Sequence, residues 1–325
     1  MERREASELD HPDSAWNRAA ASTEQADPFC CRTEWQLAFH ETFAPQRPLV
    51  LRQRGPDLLA FAEVAVPSLG VLLEPVESNW LFGTPLLGRG AIDLLGELLA
   101  ERAAAGEPPN VVLSGILARD ARRKPLLATL QRHGTVRLAH RETLCTASLD
   151  GGLDGWLSRR TGRFRRALRA AERRAADRGV RFERHVPRTA AEADAVYDRM
   201  LAVERRSWKG IGRCGMAEPP SREFYRAMLR RLAVSGAGRV AFARCGEADI
   251  GFVFGGMAGD VYRGQQFSFA DDWSAASIGN LLQFEQLRWL GEERGARYDM
   301  GPAMDYKRHW TEGCTVVEAW RLQPR

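Results

Sequence analysis

The chain has 325 residues, 44% of them hydrophobic, which is enough for two packed domains and excludes a chain that is disordered throughout. Lys+Arg 47 against Asp+Glu 42 gives a net charge of +5, too small for a protein that is a polycation over its whole surface. Of the basic residues, 44 are arginine, and the lysines are Lys124, Lys209 and Lys307.

Several classes of protein are excluded by what the sequence lacks. It has no run of about 18 or more apolar residues, so no membrane span is predicted. The polar N-terminus lacks the apolar stretch of a secretory signal, and we expect a cytoplasmic protein. The six cysteines show no C-x-x-C spacing and the histidines no ligand spacing, so we expect reduced thiols and no metal site. Motifs of serine hydrolases, zinc proteases and P-loop proteins are also missing.

The first half of the chain has a mixed α and β pattern. Residues 1–27 are polar and are predicted to be a tail or one short helix. Residues 28–155 are predicted to form the N-terminal domain, with a hairpin over 48–64, helices over 92–105 and 126–133, and strands over 110–113 and 143–148. Three glycines within residues 151–155 predict the domain junction, which leaves 156–325 as the second domain.

In the second half, helical periodicity and strand-like runs follow one another in a regular order. A helix over 156–179 ends at Gly179, because glycine favours the position after a helix. The other predicted elements are a strand over 180–183, helices over 190–206 and 221–234, a three-stranded meander over 239–244, 249–254 and 261–269, a helix over 274–294, and strands over 297–300 and 315–322.

This order carries four motifs: Ser207-Trp208-Lys209-Gly210, Ser277-Ile278-Gly279-Asn280-Leu281-Leu282, Tyr298-Asp299-Met300-Gly301 and Tyr306-Lys307-Arg308-His309-Trp310. Over about residues 156–312 it resembles the GNAT-type N-acetyltransferase domain of the FemAB-like (BioF2-like) branch. The first half is similar in layout to the degenerate N-terminal half of the same proteins. The resemblance implies an α/β (α+β) fold of tandem GNAT-like domains, each a mixed, mostly antiparallel sheet flanked by helices. It also implies N-acyl transfer, with acyl-CoA or aminoacyl-tRNA as the donor.

The resemblance implies where the donor binds. The pantetheine arm of acyl-CoA is expected on the strand over 261–269, nearest Gln266, Phe267 and Ser268. The pyrophosphate is expected at the start of the next helix, on Ser277, Ile278, Gly279 and Asn280, because unpaired N–H groups there favour an anion. The sequence departs from the family's Arg/Gln-x-x-Gly-x-Gly/Ala signature. The alternative for its one glycine, Gly279, is close packing at a helix start.

Glu285 is a carboxylate in the middle of an apolar helical stripe that includes Leu281, Ile278 and Trp289. A buried carboxylate must be paired or neutralised. Two interpretations follow: a general base with a raised pKa that takes a proton from the incoming amine, or an ion pair with one of the arginines.

Tyr306-Lys307 matches the aromatic-lysine motif of the FemAB-like enzymes, and this match implies that Lys307 stabilises the transferring acyl group. The alternative is an ion pair of Lys307 with Asp305 or Asp299. Tyr306 either donates its phenol proton to the leaving group or packs. Trp208, Lys209 and Asp305 are expected on the acceptor side of the site.

Eleven arginines lie between Trp156 and Arg184, against Glu172, Asp177 and Glu183, so this segment alone carries a charge of +8. The basic helix over Arg159–Arg184 is predicted to bind tRNA or the phosphates of CoA, or to be a solvated face.

Three functions remain open. The first is an N-acyltransferase that moves an acyl group, in the first instance acetyl, from acyl-CoA to a primary amine of a small molecule, sugar or peptide by direct attack. The second is an aminoacyl-tRNA-dependent ligase that forms an amide. The third is a binding protein that has lost catalysis. The sequence leaves the oligomeric state open.

Overall fold

The computed structural model describes residues 9–325, and the chain divides into two compact units. The described residues up to Thr143 form the first unit together with Thr315–Arg325, and Leu144–Cys314 form the second. This division differs from the predicted junction at 151–155. Gly151 and Gly152 have φ values of +75° and +63° and form the turn that starts a helix, so the glycines serve a turn inside the second unit.

The first unit contains helices on both sides of its strands. Its elements are α1 (Ala15–Ser22), α2 (Thr33–Phe43), β1 (Leu49–Arg54), β2 (Asp57–Val66), β3 (Gly70–Pro75), β4 (Leu86–Leu87), α3 (Ala91–Ala104), β5 (Asn110–Leu117), α4 (Arg123–His133), the first part of β6 (Gly134–Ser148) and most of the last strand, β12 (Gly313–Pro324).

The strands of the first unit lie in the order β1-β2-β3-β5-β12-β6, with β4 beside β2. The strand β12 therefore completes the first sheet, although the sequence analysis assigned it to the second domain. Its pairing with β5 is antiparallel, and the pairing of β3 with β5 is parallel. Leucines of α3 and α4, such as Leu95 and Leu130, pack on Leu113 and Leu322 of the sheet, and burial of such apolar surface stabilises the unit.

Residues 9–27 of the N-terminal segment are part of the first unit and pack on it. Residues 1–8 of the predicted tail lie outside the described residues, but α1 follows at Ala15, as the short-helix alternative predicted. Trp16 on α1 is 2% exposed, packs with Leu37 and Leu58, and donates from Nε1 to the carbonyl of Cys31 at 2.8 Å. One large aromatic side chain therefore anchors a segment whose other residues are mostly polar or small.

The second unit begins within β6, at Leu144. It continues with α5 (Gly152–Ser158), α6 (Gly162–Asp177), β7 (Val180–His185), α7 (Ala190–Glu204), α8 (Trp208–Ile211), α9 (Ser221–Ser235), β8 (Gly238–Cys245), β9 (Ala248–Ala258), β10 (Val261–Phe269), α10 (Ile278–Glu292) and β11 (Arg297–Pro302). Short 3₁₀ helices cover Asp271–Ala276 and Asp305–His309. The predicted helix over 156–179 is interrupted between α5 and α6, and the predicted helix over 274–294 starts as a 3₁₀ turn.

The strands of the second unit lie in the order β6-β11-β10-β9-β8-β7. Val253 of β9 packs with Ile278 of α10 and Ala171 of α6 on one face of the sheet. Because side chains alternate along a strand, the neighbouring Phe254 points to the other face, where its ring meets Tyr225 of α9. No helix among residues 9–325 is both long enough and apolar enough to cross a membrane.

Both units repeat one order of elements. Each has an antiparallel meander, β1-β2-β3 or β8-β9-β10, followed by a helix and then by a strand that pairs in parallel with the third strand of the meander. This confirms the predicted fold class, a mixed α/β fold with mostly antiparallel sheets flanked by helices.

The two units differ in what lies between the third strand of the meander and its parallel neighbour. In the first unit, residues 81–84 occupy this position. Gly115 of β5 donates its N–H to the carbonyl of Leu81 at 3.1 Å, and Ser114 Oγ donates to the carbonyl of Gly83. Gly115 has φ +61°, and a Cβ there would lie 2.6 Å from the carbonyl oxygen of Phe82. The first unit therefore has no open cleft at this point.

Replacing Gly115 by alanine tests this packing, with Gly106→Ala as the matched control. Both glycines have positive φ, but a Cβ at Gly106 meets no described atom within 4 Å. Gly106→Ala should lower the free energy of unfolding by about 1–2 kcal/mol through backbone strain alone. Gly115→Ala must also displace residues 82–84 and should cost at least about 3 kcal/mol in urea unfolding followed by circular dichroism. Equal losses of unfolding free energy in the two variants would show that residues 82–84 move aside at no cost.

Candidate active site

The site begins where β10 and β11 part. The two strands pair in parallel only from Val261 to Arg263 and from Arg297 to Asp299. At the last pair, the Arg263 guanidinium meets the Asp299 carboxylate at 2.8 Å, with both side chains more than nine-tenths buried. The second Asp299 oxygen accepts the N–H of Gly301 at 2.8 Å. Beyond this ion pair β10 bulges between Gly264 and Gln266, and no described strand pairs with its cleft-side edge as far as Phe269.

The unpaired edge of β10 presents particular backbone groups to the cleft. The N–H of Ala270 bonds the carbonyl of Ile250 at 2.9 Å, so this pair is a hydrogen-bonded one. Hydrogen-bonded and non-bonded pairs alternate in antiparallel strands, so Phe267 and Phe269 direct their N–H and C=O groups away from β9. The hydrogen bond that Lys209 Nζ donates to the carbonyl of Phe267, at 2.9 Å, agrees with this direction.

A cavity of about 520 Å³, here called the central cavity, occupies this cleft. Its lining comprises residues 264–269 of β10, Val253 of β9, Gln283 of α10, Tyr298 and Met300 of β11, and Trp208, Lys209, Met304, Tyr306 and Lys307. Seven of the residues predicted from the sequence are thus brought together: Trp208, Lys209, Gln266, Phe267, Ser268, Tyr306 and Lys307.

Lys209 is fixed by a polar network in the cavity wall. Besides the carbonyl of Phe267, its ammonium donates to Gln266 Oε1 at 3.1 Å and lies 3.7 Å from Glu204 Oε1. Gln266 Nε2 donates in turn to the Tyr225 hydroxyl at 2.8 Å. Burial lowers the pKa of Lys209, and the neighbouring Glu204 carboxylate opposes this shift.

Lys307 lies on the 3₁₀ helix that follows β11 and is 6% exposed. Its ammonium donates to the backbone carbonyls of Met300 at 2.7 Å and Pro302 at 2.6 Å. Of the acidic partners considered for it, Asp299 bonds Arg263, and Asp305 lies 3.5 Å from Arg308 with its side chain 96% exposed. Lys307 therefore places a positive charge in the cavity wall, whereas Asp305 lies outside the lining.

A second cavity, of about 490 Å³, adjoins the first at Tyr306, which lines both. It lies between α6 and the start of α10, where Arg174, Ser277 and Asn280 contribute to its wall. The N–H groups in the first turn of α10 lack intrahelical partners, and the helix dipole adds positive potential, so this end of the cavity suits an anion.

Two of the four predicted pyrophosphate residues do not reach the second cavity. Ile278 is fully buried in the core beneath α10. Gly279 packs so closely that a Cβ would lie 2.9 Å from the Phe269 ring, as the packing alternative predicted. Only their backbone N–H groups remain as candidates for anion contact.

Glu285 lies outside both cavities. Its carboxylate accepts from Arg184 Nε at 2.8 Å and from an Arg288 guanidinium nitrogen at 2.6 Å. This is the ion pair that the sequence analysis gave as the alternative to a general base. We therefore assign Glu285 a structural role.

Several lining residues were not singled out from the sequence. Gln265 lies in the bulge of β10, and its Nε2 is buried without a hydrogen-bond partner, as is Ser268 Oγ. Gln283 accepts a hydrogen bond from the Tyr298 hydroxyl at 2.6 Å. The Gln265-Gln266 pair, two polar residues in the middle of a strand, was the signal that could have identified this part of the wall. Among the described residues, no group of three or more histidine, cysteine or acidic side chains could hold a metal ion.

All five tyrosines of the chain lie in the second unit, and burial raises the pKa of each, to about 12 for Tyr225 and Tyr306. Since the folded pKa exceeds the unfolded value of about 10, these groups support folding fully below about pH 10 and lose that effect as pH rises towards 12.

An ultraviolet titration of the native protein should therefore show fewer than about one phenolate per chain at about pH 11, where an unfolded control shows more than about four. Five phenolates titrating near pH 10 while circular dichroism still reports a folded chain would contradict this account of tyrosine burial.

Comparison with known proteins bears on the second unit and on the whole fold. The sequence model of the Acetyltransferase (GNAT) domain family matches residues 162–308. Comparison with curated proteins found no match. The structure of FemX is similar over 99% of this chain and 97% of its own, at 12% identity and a TM-score of 0.64.

Two further solved structures have a similar fold. A Bacteroides thetaiotaomicron protein of unknown function matches over 95% of this chain and 97% of its own, at 11% identity and a TM-score of 0.63. L-PGS from Bacillus licheniformis matches over 93% of each chain, at 13% identity and a TM-score of 0.57. Residues 162–308 therefore match an acetyltransferase (GNAT) domain, and the chain as a whole has a fold similar to that of FemX.

Proposed function

We propose that the second unit transfers an acyl group, acetyl in the first instance, from acyl-CoA to the primary amine of a small molecule, sugar or peptide. The observation that supports this most directly is the unpaired edge of β10, which opens on the central cavity and leads past Tyr306 to the start of α10. One continuous path thus offers backbone groups for an amide-containing arm and an anion site at its far end.

The residues present fit an acyl-CoA donor. The pantetheine arm contains amides, and their natural partners are the outward N–H groups of Phe267 and Phe269 and the carbonyl of Phe269, since the Phe267 carbonyl accepts from Lys209. The phosphates fit the second cavity, where Arg174 and the α10 N-terminus supply positive potential. The thioester then lies in the central cavity, beside Lys307 and Tyr306.

The chemistry needs positioning and charge stabilisation more than covalent catalysis. The neutral amine attacks the thioester carbonyl, a C–N bond forms and the C–S bond breaks. The nitrogen loses a proton and the sulfur leaves as a thiol, which gives an amide and free CoA. Lys307 can stabilise the developing oxyanion. Tyr306, whose pKa burial raises to about 12, keeps its phenol proton at neutral pH and can donate it to the leaving sulfur.

A second candidate donor, aminoacyl-tRNA, is favoured by the charge on α6. Seven arginines on this helix and its C-terminal cap form no ion pair with any residue in the described range 9–325: Arg163, Arg165, Arg166, Arg169, Arg173, Arg174 and Arg178. Glu172 of the same helix pairs with Arg288 of α10 instead. Such a face suits a polyanion, and its binding would weaken steeply with salt.

Two matched variants of α6 distinguish the donors. Arg174 lines the second cavity, whereas Arg178 is also exposed but lies outside the cavity lining. By isothermal titration calorimetry, Arg174→Gln should weaken acetyl-CoA binding about tenfold through loss of a charge-assisted hydrogen bond, and Arg178→Gln should leave it unchanged.

The same variants titrated with charged tRNA test the second candidate donor. If tRNA binds, acetyl-CoA does not, and both variants weaken tRNA binding alike, the acyl-CoA proposal is wrong and the second candidate stands. Equal loss of acetyl-CoA affinity in both variants would contradict the placement of the phosphates at Arg174.

Replacing Lys307 by methionine keeps most of the side-chain volume and removes the charge. We expect kcat for thiol release from acetyl-CoA, measured with a panel of primary amines, to fall about 10²–10³-fold. Lys124→Met, at an exposed lysine of the first unit, should leave kcat unchanged. Retained acetyl-CoA affinity shows that the variant folds. Wild-type kcat in a folded Lys307→Met protein would contradict the role of Lys307.

A further inference from the structure

The central cavity has an unusual charge for a site that accepts an amine. Two of its lining residues, Lys209 and Lys307, are cationic, and none is acidic. Primary amines arrive as ammonium ions at neutral pH, because their pKa lies near 10. Glu204 lies 3.7 Å from Lys209 and offsets part of its charge, but Glu204 does not line the cavity. The lining itself therefore repels an ammonium ion, and the repulsion is stronger in a half-buried site than in water.

Lys209 makes its hydrogen bonds to neutral oxygens. It donates to two neutral oxygens, Gln266 Oε1 and the carbonyl of Phe267. The carboxylate oxygen Glu204 Oε1 is 3.7 Å away, which is within ion-pair distance but too far for a hydrogen bond. That carboxylate already accepts the N–H of Met216 at 3.0 Å and Ser207 Oγ at 3.3 Å.

An ammonium has three N–H donors, and those of Lys209 meet two hydrogen-bond acceptors among residues 9–325. The cavity lining holds two more donors without partners. Gln265 Nε2 and Ser268 Oγ are buried and make no hydrogen bond, and the Ser268 residue is 2% exposed. A buried polar group left in this state is destabilising, because it has lost its hydrogen bonds to water without gaining others. The wall therefore offers donors and positive charge, which is the complement of a carboxylate.

We propose that the central cavity receives a carboxylate of the substrate, with Lys209 as its cationic partner and Gln265 and Ser268 as further donors. This assignment rests on the proposed function and narrows its substrate class. The carboxylate has two sources in that reaction. It belongs either to the acceptor, as in an amino acid whose own carboxylate offsets its ammonium, or to the acyl group, as in a dicarboxylic acyl-CoA.

Matched probes separate these sources in calorimetric titrations of the full chain. For the acceptor, N-acetylglycine is compared with N-acetylglycinamide in the presence of saturating CoA, since both mimic a product. For the donor, succinyl-CoA is compared with butyryl-CoA, which has the same acyl length without the charge. The acid should bind at least tenfold more tightly than its neutral partner in one of the two arms.

Variants assign the preference to this wall. Lys209→Gln should abolish the preference for the acid, and Lys124→Gln, an equal change of charge in the first unit, should retain it. Ser268→Ala removes one donor with little change in volume and should reduce the preference several-fold, which keeps the test valid if Lys209→Gln fails to fold.

The outcomes separate this inference from the proposed function. If acetyl-CoA binds but the acids bind no better than their neutral partners, or the preference survives Lys209→Gln, the carboxylate site is wrong and the acyltransferase stands. If none of the CoA compounds binds, the proposed function itself fails.

Discussion

The buried ion pair between Arg263 and Asp299 determines where the active cleft begins. Each charge is out of water and is tolerated only because the other is 2.8 Å away; loss of one partner of such a pair costs about 3–5 kcal/mol. It joins β10 and β11 at their last paired residues. Beyond the ion pair, β10 bulges at Gly264 and its remaining backbone lines the cavity. The N–H and C=O groups of this edge are therefore exposed, whereas in a continuous sheet they would bond a neighbouring strand.

Repetition of one fold in two units shows that this opening depends on side chains and loops. Both units have a meander, a helix and a parallel strand. In the first, residues 81–84 fill the place that the cavity occupies in the second, and Gly115 permits their close approach. The proposed chemistry is consequently assigned to the unit that contains residues 162–308, and the first unit, as described, retains the fold without this cleft.

Periodicity predicted most of the fold, because helices such as α3 and α9 and the meander β8-β9-β10 bury one face against a core. Periodicity did not predict the elements whose burial depends on a single residue or on pairing with a strand far away in the sequence. Trp16 anchors a polar segment that was expected to be a tail or one short helix. The strand β12 pairs with β5, some 200 residues earlier in the chain, and nothing local in its sequence indicates that partner.

The candidate site was predictable to the extent that rare residue types marked it. Lysine is scarce in this chain, and both lysines in the recognised motifs line the central cavity. Glu285 was a candidate for catalysis because a helical stripe does not show which residues pair with it. In the structure, Arg184 and Arg288 do so. The Arg263–Asp299 pair and the donors at Gln265 and Ser268 could not be assigned without the strand register that creates the cleft.

Amide hydrogen exchange along β10, measured by nuclear magnetic resonance with and without acetyl-CoA, tests the central claim most directly. Phe267 and Phe269 direct their N–H groups to the cleft, whereas Gln266 and Ser268 bond β9. We predict fast exchange at Phe267 and Phe269 in the free protein and at least about tenfold protection on binding acetyl-CoA, with little change at Gln266 and Ser268. Saturating acetyl-CoA that protects all four amides alike, or none of them, would contradict a donor bound along this edge.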